Sequence, residues 1–221
     1  VGVKVGAGLP DRVQSPVRPV VVDFSGPELT RVLLAGAIRR GFAVLVGTTR
    51  LTDGDHALID SAARHVPVLQ AANTAWGFSA LLPLVAEAAR RLGPDFDIEI
   101  LEMHHNQKKD APSGAAVALA EAILTATGRS RQSLVFGRRG DDCPRQPGTI
   151  GLHSIRAGDT IGEHTVFYAG HGERIEIRHV STSRDTFAAG ALRAARFLSG
   201  QQPGRYTMAD VMAEARSQLK P

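Results

Sequence analysis

The feature that most constrains this chain is a regular alternation of hydrophobic period from Val20 to Leu92. Val20-Val21-Val22-Asp23-Phe24 is a short apolar run ending in a polar residue, and it reads as a buried strand. Pro27 stands near a helix start, 29–40 repeats apolar residues at helical spacing, and Gly41 closes the segment. A second strand is expected over 43–47, a second helix over 53–64, a third strand over 66–70, and a long helix over 76–92 ended by Gly93-Pro94. Strand, helix, strand, helix, strand predicts a parallel sheet with crossover helices. Ligands of such sheets sit beyond the carboxyl ends of the strands, here Asp23-Phe24-Ser25 and Gly47-Thr48-Thr49.

The pattern then changes. Residues 96–103 alternate as a strand, Ser113 caps a helix running to about Thr127, and Gly128 stops it. Residues 129–147 read as a polar, arginine-rich loop. Arg138, Arg139 and Arg145 lie there among Gly140, Asp141 and Asp142 without interleaved aromatics, which predicts a solvated loop and no nucleic-acid surface. Three strand-like runs follow, 149–156, 163–169 and 173–181, and predict an open, largely antiparallel sheet with one covered face. Helices over 184–198 and 208–219 finish the chain. The expectation is an α/β part over 1–73 together with 185–221, and an α+β part with an open mixed sheet over 74–184.

Composition narrows the class. Hydrophobic residues are 43% and charged residues 22%, ordinary for a globular protein, and aromatics are only 5%, so the core must be mostly Val, Leu, Ile and Ala. The formal charge of +4 suits an anionic ligand without calling for nucleic acid. A single cysteine, Cys143, excludes an intrachain disulfide and fits a cytoplasmic setting. No Cys or His cluster has zinc-ligand spacing, and the apolar runs are too short to span a bilayer. The chain starts at Val1, with no signal peptide recognised.

The chemistry concentrates in one stretch, Glu102-Met-His104-His105-Asn-Gln-Lys108-Lys109-Asp110-Ala-Pro-Ser113-Gly114-Ala115. Between His104 and Asp110 lie two imidazoles, two ammonium groups and a carboxylate, and a helix begins directly after them. A helix N-terminus offers free N–H groups and a positive dipole end to a carboxylate or phosphate. Histidine supplies a proton donor near neutrality, and a lysine supplies charge or a proton. The residues by themselves describe an anion site with a general acid beside it, against the plainer reading of an ordinary capped loop.

His-His-x-x-Lys-x-Asp-Ala-Pro-Ser-Gly resembles the hallmark of the dihydrodipicolinate reductase family. Further matches follow in order: Val22-Asp23-Phe24-Ser25 with Pro27-Glu28, Gly47-Thr48-Thr49, Ala72-Asn73, Pro147-Gly148-Thr149-Ile150-Gly151, Arg156-Ala157-Gly158-Asp159, Gly162-Glu163-His164, and Ser183-Arg184 with Phe187. The similarity runs from about Val20 to Val211. It implies a Rossmann-like parallel sheet, incomplete at its N-terminal side, joined to a substrate-binding and oligomerisation domain. It implies NADH or NADPH as cofactor, a small anionic cyclic imine as substrate, and a homotetramer. By position, His104 would be the proton donor, with Lys108 its partner or itself the donor. Ser113, Gly114 and Ala115 would hold a substrate carboxylate, with His105 and Lys109 bordering the site and Arg184 near the junction of substrate and cofactor. Phe24, Gly47, Thr48, Thr49, Ala72, Asn73 and Phe187 would lie along the cofactor, and His164 would be structural. His153, His171 and His179 read as structural or exposed.

Four departures from that pattern bear on function. Gly6-Ala7-Gly8 is followed by Leu9-Pro10-Asp11, and Pro16 and Pro19 forbid the helix that should follow a phosphate-binding loop. The family's glycine-rich first unit therefore either lies outside these residues or has been lost, with Val1-Gly2-Val3 a candidate stub of its strand. Arg50 stands where the family has Gly after Gly-Thr-Thr, in a position to meet a phosphate or to block the nicotinamide. Thr74-Ala75 follows Asn73 where an aromatic or apolar residue is usual, and Ala115 replaces a usual Thr, at a loss of about 1.5–3 kcal/mol of carboxylate binding. The acid loop is intact while the cofactor half departs. The leading expectation is a reductase, and the alternative is a redox-inactive relative using the same loop for cyclisation, dehydration or isomerisation of an amino-acid-derived imine. A non-catalytic scaffold would have no need of His104 and Lys108.

Overall fold

A computed structural model describes residues 9–10 and 13–217. The Gly6-Ala7-Gly8 and Val1-Gly2-Val3 readings lie outside the described residues. The chain divides into two compact units. One runs to Ala75 and resumes at Phe187, and the other is Trp76–Thr186.

The first unit is built on β1 (Val20–Asp23), β2 (Ala43–Val46), β3 (Pro67–Gln70) and β9 (Gly204–Tyr206), in the order β1-β2-β3-β9 and parallel throughout. All four residues of β2 are buried, as expected for an inner parallel strand. Helices α1 (Pro27–Arg40) and α2 (Asp53–Ala63) make the crossovers. Pro27 opens α1 where a missing N–H costs nothing, and Gly41 ends it in the left-handed region at φ 69°. Thr52 and Asp55 form a reciprocal capping box on α2. Leu33, Leu34 and Ala37 of α1 and Ile59, Ala62 and Ala63 of α2 pack with Val44, Val46 and Val68 of the sheet. Helices α5 (Asp185–Ser199) and α6 (Met208–Ser217) belong to the C-terminal stretch.

The second unit holds a five-stranded sheet in the order β5-β6-β4-β7-β8: β4 (Asp97–His104), β5 (Leu134–Phe136), β6 (Ile150–Arg156), β7 (Gly162–Ala169) and β8 (Arg174–Ser181). Helices α3 (Trp76–Leu92) and α4 (Gly114–Thr127) pack against each other and on the sheet. In β4 the residues alternate, with Ile98, Ile100, Glu102 and His104 buried and Glu99, Leu101 and Met103 partly exposed. The Tyr168 hydroxyl donates to the Val85 carbonyl at 2.6 Å and pins β7 to α3.

Three expectations need correction. The sheet is mixed rather than largely antiparallel, for β4, β6 and β5 run parallel and only β4–β7 and β7–β8 are antiparallel. Helix α4 is the cause, since it carries the chain back along the sheet before β5 and β6 are laid down. The loop over 129–147 contains β5, and the chain after α5 contains β9; both are three-residue strands held by pairing to β6 and β3, a long-range condition without a local period. Arg138 and Arg145 are not simply solvated. They bond Glu99 at 3.0 and 3.1 Å, Arg145 also pairs with Asp97 at 2.6 Å, and only Arg139 of the three is exposed.

Candidate active site

In the second unit the site is assembled at the carboxyl end of β4. Alternation turns Glu102 and His104 to the face beneath the helices, and both are buried. Pairing register then sets their neighbours: His104 stands opposite Arg156 of β6, and Glu102 opposite His164 of β7. The loop after β4 is stitched to the β6–β7 turn by the Ala157 N–H to His104 carbonyl bond (2.9 Å) and the Asn106 N–H to Gly158 carbonyl bond (3.1 Å).

Glu102 is the hub. Its Oε2 meets Nδ1 of His104 at 2.5 Å, Arg156 donates to both of its oxygens at 2.9 and 2.8 Å, and the Ser113 N–H donates to Oε1 at 3.2 Å. Burial pushes this carboxyl up, but the bonds from His104 and Arg156 outweigh burial and hold its pKa at about 2. It is therefore a permanent acceptor at neutral pH. Because it takes Nδ1–H, His104 is left with Nε2 as its working nitrogen. A Cβ on Gly162 would stand 3.1 Å from that Nε2, so the glycine keeps the space beside it open.

Arg156 also donates to the Asp110 carbonyl, and the Asp110 carboxylate pairs with Lys108 at 2.9 Å. Burial again opposes ionisation of Asp110, yet Lys108 holds its pKa below the usual carboxylate range. Ser113 is the N-cap of α4 and accepts the Ala116 N–H at 3.2 Å. Its Oγ lies 3.3 Å from Nε2 of His164, whose ring is edge-on to His104 with centroids 5.3 Å apart. Burial and then the charge of His104 push His164 down to about 3.

The expected substrate-side residues thus divide. His104, Lys108, Ser113, Gly114 and Ala115 come together at the start of α4, His105 is half-buried beside them, Lys109 is exposed, and Arg184 is exposed before α5. Glu102 and Arg156 were quoted in the motifs without a role, and His164 was read as structural; all three belong to the cluster. Alternation along β4 sets Glu102 beside His104, whereas strand register brings Arg156 and His164 there, and a single sequence does not declare register.

In the first unit part of the expected cofactor side, Phe24, Gly47 and Thr48, lies beside a different buried carboxylate, Asp23. It accepts from the Ser25 N–H at 3.0 Å, from the Ser25 and Thr30 hydroxyls at 2.5 Å each, and from the Thr48 hydroxyl at 3.1 Å. The end of β1, the start of α1 and the end of β2 are tied together through it. Phe24 is 52% exposed and lies over Gly47, where a Cβ would come within 2.3 Å of the ring. Arg50 sits at φ 61°, the left-handed region that favours glycine, and lines a cavity of about 500 Å³ with Gly26, Pro27, Glu28, Arg31 and Thr52. Thr49, Asn73 and Phe187 are half-buried and Ala72 is exposed. Asn73 accepts the Ala75 N–H at 2.8 Å, and the Thr74 hydroxyl donates to the Phe187 carbonyl at 2.8 Å. The substitution of Thr74 thus anchors α5. A flat exposed ring over a glycine, at the carboxyl end of a parallel sheet, fits a nicotinamide cofactor, with α1 offering first-turn N–H groups that no side chain caps.

Comparisons with known proteins point to one family. The family described as "Dihydrodipicolinate reductase, N-terminus" matches residues 1–74, and "Dihydrodipicolinate reductase, C-terminus" matches residues 77–212. The chain is 46% identical over 198 residues to the 4-hydroxy-tetrahydrodipicolinate reductase of Myxococcus xanthus, covering 90% of this chain and 73% of that protein. It is 44% identical over 212 residues to that of Halorhodospira halophila, covering 96% and 79%. Among solved structures, the dipicolinate-bound dihydrodipicolinate reductase from Paenisporosarcina sp. TG-14 superposes with a TM-score of 0.60 at 25% identity, over 85% of this chain and 71% of that one.

Proposed function

The chain belongs to the dihydrodipicolinate reductase family, and from that we infer that it reduces the cyclic imine dicarboxylate of the lysine and diaminopimelate pathway with a nicotinamide cofactor. Its relatives carry the name of a reductase, so the redox-inactive alternative is set aside. The observation that carries the reading is the Glu102–His104 pair set beside the capped N-terminus of α4.

NADH or NADPH, when bound, supplies the hydride. His104 gives the proton from Nε2, while Glu102 holds the other nitrogen and so fixes the ring. Lys108, paired with Asp110, supplies positive charge to an anionic substrate rather than the proton. Ser113 and the N–H groups of Gly114 and Ala115 receive one substrate carboxylate, with His105, Lys109 and Arg184 as its outer border. Phe24, Gly47, Thr48, Thr49, Ala72, Asn73 and Phe187 form the nicotinamide side. The unit around the parallel sheet is accordingly the Rossmann-like, nucleotide-binding domain, and the unit around the mixed sheet is the substrate and assembly domain. The exposed free thiol of Cys143 suits a reducing compartment, and we place the protein in the cytoplasm.

Titration with NADH and with NADPH, followed by calorimetry, tests the redox step directly. Binding at micromolar concentration is expected, and His104→Gln should then lower kcat by about 10²–10⁴-fold. No binding at millimolar cofactor overturns hydride transfer by this chain.

A further inference from the structure

His164 has no part in the chemistry assigned so far, yet it lies in the middle of the site. Its ring is 2% exposed, edge-on to Phe78 and to His104. Nε2 lies 3.3 Å from Ser113 Oγ, and Nδ1 is buried without a hydrogen-bond partner among the described residues. Burial and the neighbouring His104 push its pKa down to about 3, so at neutral pH the ring is uncharged and has a single N–H.

Two tautomers compete for that proton. On Nδ1 it would be a buried donor with nothing to bond. On Nε2 it meets Ser113 Oγ and leaves only a lone pair bare, the commoner of the two defects in folded proteins. The second arrangement decides what Ser113 can do. A hydroxyl oxygen has two lone pairs; the Ala116 N–H takes one and His164 the other. All that remains is the hydroxyl hydrogen, which has no acceptor among the described residues.

We propose that His164 is a positioning residue which, by donating from Nε2, fills the second lone pair of Ser113 and makes that hydroxyl an obligate donor to an anionic carboxylate. This rests on the reading that Ser113 and the first turn of α4 receive the substrate carboxylate. It adds that the site selects an ionised acceptor and disfavours a ligand presenting N–H or O–H at that position, since Ser113 has no lone pair left to meet it.

The test is calorimetric titration of the full chain with pyridine-2,6-dicarboxylate as probe, across wild type, Ser113→Ala, His164→Phe, His164→Gln and the Ser113→Ala/His164→Phe double variant. His164→Phe should weaken binding by about 10- to 100-fold, the worth of one hydrogen bond to a charged group. His164→Gln, which keeps an N–H at the end of its side chain, should recover most of that loss. The double variant should be no weaker than Ser113→Ala alone, because the two changes remove one interaction. In turnover, KM should rise by more than kcat falls. Melting each variant checks the fold, with His164→Leu replacing His164→Phe if the latter does not fold. Wild-type affinity in His164→Phe beside a weakened Ser113→Ala overturns the role of His164 and spares the carboxylate site, as would additive losses in the double variant. Wild-type affinity in Ser113→Ala overturns the carboxylate site itself and this inference with it.

Discussion

Arg50 shows how a single residue can carry strain in the cofactor half. At φ 61° its backbone occupies a region that costs an L-residue about 1–2 kcal/mol. Glycine would remove that strain at an entropic cost of about 0.4–1 kcal/mol in the unfolded chain. Strain is the larger effect, so Arg50→Gly should stabilise the protein by about 0.5–1 kcal/mol, seen as a rise of ~1–3 °C in Tm; an unchanged or lower Tm would show that the arginine side chain makes up the difference. Glu102 is the opposite case. Its removal leaves the half-buried Arg156 without its bidentate partner and His104 without its acceptor, and loss of one member of a buried pair costs about 3–5 kcal/mol. Glu102→Ala should therefore lower the denaturant midpoint sharply as well as activity, whereas a surface ion pair such as Arg90–Glu87 should be worth under about 1 kcal/mol when broken.

Among the elements, α5 depends most on one atom's absence. A Cβ on Gly190 would fall 1.7 Å from the Thr74 carbonyl oxygen, which is backbone and cannot rotate away. Gly190→Ala should thus displace α5 from the Thr74 segment and cost more than about 3 kcal/mol, measured by chemical denaturation. Gly47 differs in kind. Its Cβ would meet the Phe24 ring, which is half exposed and free to swing. Gly47→Ala should leave stability nearly intact and weaken cofactor binding instead, a split that melting curves and NADH titration together would reveal. The helices and longer strands were legible in the sequence because each carries a local period or punctuation, such as Pro27 and Gly41 around α1 or Ser113 and Gly128 around α4. β5 and β9 were not, since three residues contain no period and their existence depends on partners far along the chain.

At the scale of the whole molecule, the buried site makes stability fall on the acid side. His164 titrates at about 3 in the fold and near 6.5 in the unfolded chain. As pH drops below 6.5 the unfolded chain takes up a proton that the fold refuses until about 3, so stability declines across that window, by up to about 1.4 kcal/mol per pH unit at full effect. His179, lowered by burial, acts in the same direction. Glu102 adds a further loss from about pH 4.5 down to about 2. His164→Phe should flatten the dependence of Tm between pH 6.5 and 4.5; an undiminished slope there would assign it elsewhere. The partly exposed face of the mixed sheet carries Leu101, Met103, Ile155 and Phe167, a face of the kind that subunits cover in assembly. The family resemblance implies a homotetramer, so light scattering at micromolar concentration should return the mass of a tetramer, and a monomeric mass would refute it.

By itself the sequence determined the order of elements, the parallel sheet, and the acid loop from His104 to Ser113 next to a helix start, because period, caps and motif spacing are local properties. It also carried the family resemblance, which is a matter of residue identity. Tertiary structure alone decided that Arg156 clamps Glu102 and that His164 reaches Ser113. Those contacts join residues brought side by side by strand register and by the seating of α4. Register is chosen by the summed burial of whole faces, and no pair of residues in the linear chain announces it.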